Sequence, residues 1–567
     1  MLWVYLNVEM KMSDFDVVIR NGFLVDGTGS ESVKGDIAIL NGKIAQVGSV
    51  AGTGREEVDA SNLTVAPGFI DIHTHFDPQL CWDSYATPSI EHGITTVVTG
   101  NCSLSLAPIK DRAAADKIVS MFGVIEDIKK RTFDEAVPFT WTSFPEYLDH
   151  IRPKLGINVG ALIGHSAIRL FVMGAASQER AATSEEIEAM CELVEESMTA
   201  GALGISSSYV DMDENGRPVP SQYADIDEKI ALAKAMAKSG RGIWQIVPFF
   251  PDLKRELDNI RELGDISLAA GIPCSLQPVL SSPTSPNAEE IIAALEEQKA
   301  RGAKVYGQVM PRCFDLNMRL SETSMLLFSL PQWKAIMDLP ASERLAKFSD
   351  PGARDALVSE MKNAAGMSGA LPFLTVGEVH SKANDAYKGK YLAEIAESEG
   401  KEIGDVILDI AIADKLETEF QLKNVINADK AAVAELINHP LCHFGASDAG
   451  AHITQFCGTG DTTHLLEHYV RETGHMTLER AVHRMTGEVA ADWGLADRGT
   501  LAVGKAADIV VFDPETVTVG DEQFVDDFPG EARRYVRRAS GYHSVFVNGE
   551  LAYDAGGYTN NLAGLVV

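Results

Sequence analysis

The chain changes rhythm twice. Early on it alternates apolar and polar positions in short runs, "DFDVVIRNG", "FLVDGTG" and "GDIAILNGKIAQVG". Asn21-Gly22 and Asn41-Gly42 stand between them as hairpin-type turns. The C-terminal end returns to this texture in "GKAADIVVFDP" and "HSVFVNGELAYDAG", where Asn548-Gly549 repeats the turn signal. The middle has a helical period instead. "TSEEIEAMCELVEESMTAG" begins with the capping-box spacing of Thr183 and Glu186 and closes on Gly201 before the apolar run "ALGISSSY". Helix, glycine and short apolar strand recur in that order three more times, the mark of βα units and a parallel sheet. Eight strands are predicted: "GFIDIH", "ITTVVTG", "NVGALIG", "ALGISS", "GIWQIVP", "PCSLQPV", "AKVYGQV" and "LCHFGAS". Eight parallel strands with interleaved helices predict an α/β fold, a (β/α)8 TIM-type barrel over residues 67–494. A small β-sandwich domain built from both termini, residues 13–66 and 495–567, is expected beside it. The intervals 103–157 and 311–437 are too long for one helix each and read as helical insertions roofing the active-site face. Residues 1–12 read as a disordered extension, with Met12 as an alternative start.

Composition narrows the class. With 567 residues, 45% hydrophobic and 23% charged, the chain has the make-up of a soluble globular protein too long for one simple core. No apolar run reaches the length of a membrane span, and the first residues lack the basic region and cleavage site of a signal peptide. The 49 Lys+Arg against 81 Asp+Glu leave a net charge of −32, which argues against nucleic acid or an anionic membrane as partner. A small-molecule substrate is expected. Seven scattered cysteines, an odd number, do not make a disulfide framework, and a reducing cytoplasm fits them best.

The chemistry starts at "APGFIDIHTHFDP", where His73 and His75 follow an apolar strand. Residues i and i+2 of a strand share a face, so both imidazoles leave the same side and make half a metal site.

Taken together, "VIRNGFLVDGTG", "APGFIDIHTHFD", "GITTVVTGNC", "GHSAIRLFVMG", "GASDAGAH" and "GTLAVGKAADIVVFDP" resemble the amidohydrolase superfamily. Its N-acyl-D-amino-acid deacylase (D-aminoacylase) branch is indicated by Gly100-Asn101-Cys102. The resemblance implies that His73 and His75 are metal ligands, that Cys102 is the thiolate this branch uses, and that Asp448 touches the metal and shuttles a proton. It implies zinc, amide hydrolysis by activated water, and self-association into a homo-oligomer. Two further ligands should be histidines at the ends of strands five and six, but Gln245 and Gln277 stand there. An amide oxygen is a weak zinc ligand, so one zinc per chain is expected. Val279 replaces the family's lysine, and no arginine follows the "SD" closely, which leaves Arg312 as a candidate grip on a substrate anion.

Other readings stay open for individual residues. Asp448 can cap a helix, and Cys102 can pack as a small hydrophobe. His165, at the end of strand three, can polarise substrate or water, or rest on a backbone carbonyl. Gln245 and Gln277 can donate to a substrate carbonyl or fill a vacated pocket, and His452 can contact substrate. For the whole site, a hydrolase of an ester, lactone or cyclic amide, or a metal-dependent lyase such as a decarboxylase, stands beside the amidohydrolase.

Overall fold

A computed structural model describes residues 13–281, 287–327, 330–362 and 366–567; the expected extension at 1–12 lies outside them. All eight predicted barrel strands form: Phe69–Asp71, Ile94–Thr99, Asn158–Gly164, Gly204–Ser208, Ile243–Val247, Cys274–Leu276, Val305–Val309 and Cys442–Phe444. They pair in sequence order and in parallel as one curled sheet. Beyond the strand tips, the first and last strands meet. Thr74 bridges Ala449, the N–H of His75 donates to the Ala449 carbonyl at 2.7 Å, and the N–H of Asp448 donates to that of His73 at 3.1 Å. The closure that completes the barrel therefore also sets His73, His75 and Asp448 side by side.

The alternation of strand side chains sorts residues between two cores. Val97 and Ile163 face the surrounding helices, while their neighbours Val98 and Leu162 join Ile70, Leu203, Ile243 and Trp493 in a second cluster. The helix Ser184–Ala200 carries the predicted capping box: Thr183 accepts from the Glu186 N–H, and Gly201 ends the helix at φ 119°.

Among the described residues, a nine-stranded sheet draws on both chain ends. Its N-terminal and C-terminal parts join where Thr64–Pro67 runs antiparallel to Ile509–Phe512. Asn41-Gly42 and Asn548-Gly549 turn hairpins as predicted, with positive φ at all four positions. Asn21-Gly22 does not turn. The strand Phe15–Leu24 runs straight through it with a register shift between Ile19 and Gly22, a bulge instead of a hairpin. A Cβ on Gly22 would come within 2.4 Å of Val65, so the bulge needs glycine.

The segment between strands two and three holds the helices Arg112–Ile125, Lys130–Ala136 and Phe144–Ile151. The segment between strands seven and eight has a three-stranded sheet and its own core around Trp333, Leu316, Ile407 and Phe420. Phe456, from the loop after strand eight, is buried in that core. A separate hairpin, Thr518–Phe528 with Ala532–Ser540, reaches back over the same loop: Tyr535 N–H donates to Ile453 O at 2.8 Å, and Cys457 N–H to Glu522 at 2.9 Å. No helix among the described residues is long and apolar enough to cross a membrane, and the seven cysteines are all unpaired with one another.

Candidate metal centre

His73 and His75 lie just past the tip of strand one, fully buried, with ring centroids 5.3 Å apart. Cys102 reaches them from the tip of strand two through a tightly specified loop. Gly100 takes φ 81°, and a Cβ there would sit 2.1 Å from the Leu162 carbonyl. Asn101 donates to the carbonyls of Thr74 and Val98, both at 3.0 Å, and so ties strands one and two together. Cys102 follows at φ 54°, a left-handed conformation that a non-glycine residue adopts at a cost. Its Sγ stands 3.6 Å from His73 Nε2 and 3.7 Å from His75 Nε2. Asp448, likewise left-handed at φ 59°, brings Oδ1 to 3.1 Å from His75 Nε2 and 3.5 Å from His73 Nε2. Ser447 anchors that loop by donating to Asp71 at 2.7 Å and to the His73 carbonyl at 2.9 Å.

These separations fit a metal ion. Zinc–nitrogen and zinc–sulfur bonds of about 2.0 and 2.3 Å in tetrahedral geometry put neighbouring donors about 3.3–3.8 Å apart. His73, His75 and Cys102 each bring one donor atom within 4.8 Å of the other two. Their electrostatics call for a cation. Burial drives the Cys102 thiol well above its ordinary range, and the neighbouring carboxylates Glu126, Asp211 and Asp448 push it further. Burial likewise lifts Asp211 to about 6, Asp71 to about 7 and Glu126 to about 8. Burial depresses His73 to about 3, so its lone pair is free at neutral pH. Against the same burial, Glu126 and Asp448 raise His75 to about 9, and His75 in turn holds Asp448 below the usual carboxylate range. A divalent ion would neutralise this excess of buried acid.

Four of the predicted residues meet here, and three more border them. Gln277 Nε2 lies 3.8 Å from Cys102 Sγ. Gln245 Nε2 lies 3.4 Å from Nδ1 of His73, behind the ring and away from the Nε2 that faces Cys102. His452 Nε2 is 3.6 Å from Asp448 Oδ2, and its ring rests against Phe456.

The remaining two bond within the protein. Both nitrogens of His165 are engaged, Nε2 with Glu228 at 2.8 Å and Nδ1 with Ser207 at 3.2 Å, so neither is free for water or substrate. Glu228 also takes Arg169 in a fully buried ion pair. Arg312 is buried on Asp461, with Nε 2.7 Å from the carboxylate, and donates to the Ser447 carbonyl at 3.0 Å. It braces the loop that carries Asp448. Glu126 was missed by the sequence reading: it arrives from the end of the helix Arg112–Ile125, and its Oε1 lies 3.1 Å from His75 Nδ1.

The sequence model of the Amidohydrolase family matches residues 56–553. The chain belongs to the amidohydrolase family. This amidohydrolase is 30% identical to a D-aminoacylase of Alcaligenes xylosoxydans xylosoxydans, over 98% of this chain and 99% of that one. It is 28% identical to an N-acyl-D-aspartate deacylase of the same organism, over 95% and 92%. A solved D-aminoacylase superposes with a TM-score of 0.65 at 27% identity, covering 97% of this chain and 99% of that chain. The work on that D-aminoacylase describes a binuclear metal centre with one-metal activation and second-metal attenuation. Family membership and the converging donors make this chain a metal-dependent hydrolase of carbon–nitrogen bonds other than peptide bonds.

Proposed function

We propose that this amidohydrolase cleaves the amide of an N-acyl amino acid or a related bulky N-acyl compound, using a single zinc ion held by His73, His75, Cys102 and Asp448. The observation that carries the reading is that the Nε2 atoms of His73 and His75 each face both Cys102 Sγ, at 3.6 and 3.7 Å, and Asp448 Oδ1, at 3.5 and 3.1 Å, at the tips of strands one, two and eight. The substrate class is argued from relatives named as a D-aminoacylase and an N-acyl-D-aspartate deacylase, each matched over nearly the whole chain. One ion, not two, is argued from Gln245 and Gln277, whose neutral amides are poor zinc donors.

When bound, zinc would lower the pKa of water from near 16 to about 7 and polarise the amide carbonyl. The protein's own groups do the rest. Asp448 orients the attacking water and takes its proton. It then returns that proton to the departing amine, a shuttle suited to a carboxylate whose second oxygen points away from the two histidines, 3.6 Å from His452 Nε2. His452, partly exposed beside Asp448, donates to the carboxylate or to the substrate carbonyl as the negative charge develops. Gln277 offers its amide N–H beside the thiolate, which steadies that charge when substrate is absent.

The test is amine release from a panel of N-acyl D- and L-amino acids, run on zinc-loaded and zinc-stripped enzyme. Release that requires zinc, with Asp448→Asn inactive, supports the reading. Release of carbon dioxide without amine, or turnover confined to esters and lactones, would overturn it.

A further inference from the structure

We propose that Glu126 is the positioning residue of His75: its carboxylate receives the proton on Nδ1 and thereby turns Nε2 to the ion. This rests on the metal reading given above.

Glu126 caps the helix Arg112–Ile125, its N–H bonded to Phe122 O at 3.0 Å, and its side chain is 1% exposed. Its Oε1 and the Nδ1 of His75 are 3.1 Å apart, a close contact without hydrogen-bond alignment, and neither atom has a hydrogen-bond partner elsewhere. A carboxyl group is costly to bury without a hydrogen-bond partner, so this juxtaposition needs a reason. A donor hydrogen on Nδ1 supplies it. Once Nδ1 carries the hydrogen, the lone pair is on Nε2, the nitrogen that stands 3.7 Å from Cys102 Sγ and 3.1 Å from Asp448 Oδ1. The carboxylate behind the ring also makes that lone pair more basic.

The carboxylate is held firmly enough to do this. The Glu126 carbonyl accepts from His452 N–H at 2.7 Å, and the adjoining Asp127 carboxylate takes the Thr454 hydroxyl and the Lys129 ammonium, the latter at 2.7 Å. The turn 126–127 is thus fastened to the segment after Asp448, and it presents Oε1 as part of a rigid frame. His73 has a weaker arrangement behind it, the neutral amide of Gln245 at 3.4 Å. The two histidines are therefore unequal donors, with His75 the stronger.

Zinc affinity measured against a chromophoric chelator tests this in the full chain and in Glu126→Ala and Glu126→Gln. Loss of such a partner typically weakens metal binding about 10–100-fold, and that is the expectation for the alanine variant. The glutamine variant should recover part of the loss, because its amide oxygen still accepts from Nδ1–H. In cobalt-substituted protein the absorption bands of Glu126→Ala should shift, a signature that altered packing far from the ion would not produce. Zinc uptake by all three chains within twofold of one another overturns the proposal alone. A wild-type chain that takes up no zinc overturns the metal reading beneath it as well. If the alanine variant fails to fold, the near-isosteric glutamine variant still decides, by weaker zinc binding or by none of the predicted change.

Discussion

Replacing Arg312 with methionine separates two roles for one guanidinium. An arginine that grips substrate would leave stability untouched and raise KM. Here the guanidinium instead pairs with Asp461 at 2.7 Å and holds the Ser447 carbonyl at 3.0 Å, both within the protein. The second oxygen of Asp461 already has no partner, so the variant strands a buried carboxylate. Removing one member of a buried pair costs about 3–5 kcal/mol. Protonation gives an independent ceiling. At about 1.4 kcal/mol per unit, protonating an aspartate at pH 7, about three units above its ordinary value, costs about 4 kcal/mol. The two figures agree. Burial already holds Asp461 above the usual carboxylate range despite Arg312, and loss of Arg312 raises it further. A carboxyl raised on folding loses stability as pH climbs from its unfolded to its folded value. The deficit should therefore be largest at neutral pH and shrink to about 1.5 kcal/mol at pH 5. Urea unfolding followed by tryptophan fluorescence at pH 5, 6 and 7 measures it. Asp461→Asn in the same background should recover most of the loss, and kcat of the folded enzyme should fall because Ser447 precedes Asp448. An unchanged urea midpoint at pH 7 with KM raised about tenfold would refute the bracing role and restore a grip on substrate.

Asp448→Asn should lower turnover by at least about a hundredfold while His73, His75 and Cys102 keep most of the zinc, read by elemental analysis. His165→Asn should cost about 1–3 kcal/mol through its buried bonds to Ser207 and Glu228 yet leave kcat/KM of the folded enzyme within about twofold; a large loss of kcat at unchanged stability would return His165 to the reaction. Glu256 is buried, and desolvation alone raises it to about 7. Its folded form keeps a proton that the unfolded chain gives up, so stability falls as pH rises from about 4.5 to 7. Glu256→Gln should then be more stable than wild type by about 2–3 kcal/mol at pH 8 and no more stable at pH 4, as judged by thermal melts.

The barrel was legible because helix, glycine and short apolar strand recur in that order through the middle of the chain. The His73/His75 pair was legible because strand geometry fixes where residues i and i+2 point. What placed Cys102 and Asp448 beside them is barrel closure, which joins Thr74 to Ala449 across 375 residues of chain, and two left-handed backbone positions that no local pattern announces. His165 and Arg312 share one feature. The partners of His165 and Arg312, namely Glu228 and Asp461, are 63 and 149 positions distant, so a free-looking polar residue in sequence is a committed one in space. Glu126 escaped notice for the converse reason: it ends an ordinary amphipathic helix in an insertion, and only the fold brings it to His75. Asn21-Gly22 shows the limit of turn chemistry, since the same dipeptide that turns a hairpin at Asn41-Gly42 makes a bulge where Val65 packs close.

The most direct measurement is the zinc content of protein purified without added metal, by elemental analysis, followed by chelation and stepwise return of zinc with activity read at each step. One zinc per chain, activity saturating at one equivalent, and loss of both in His73→Ala is the predicted result. Activity that requires two equivalents, or that persists in the fully stripped chain, would contradict a single ion held by His73, His75, Cys102 and Asp448.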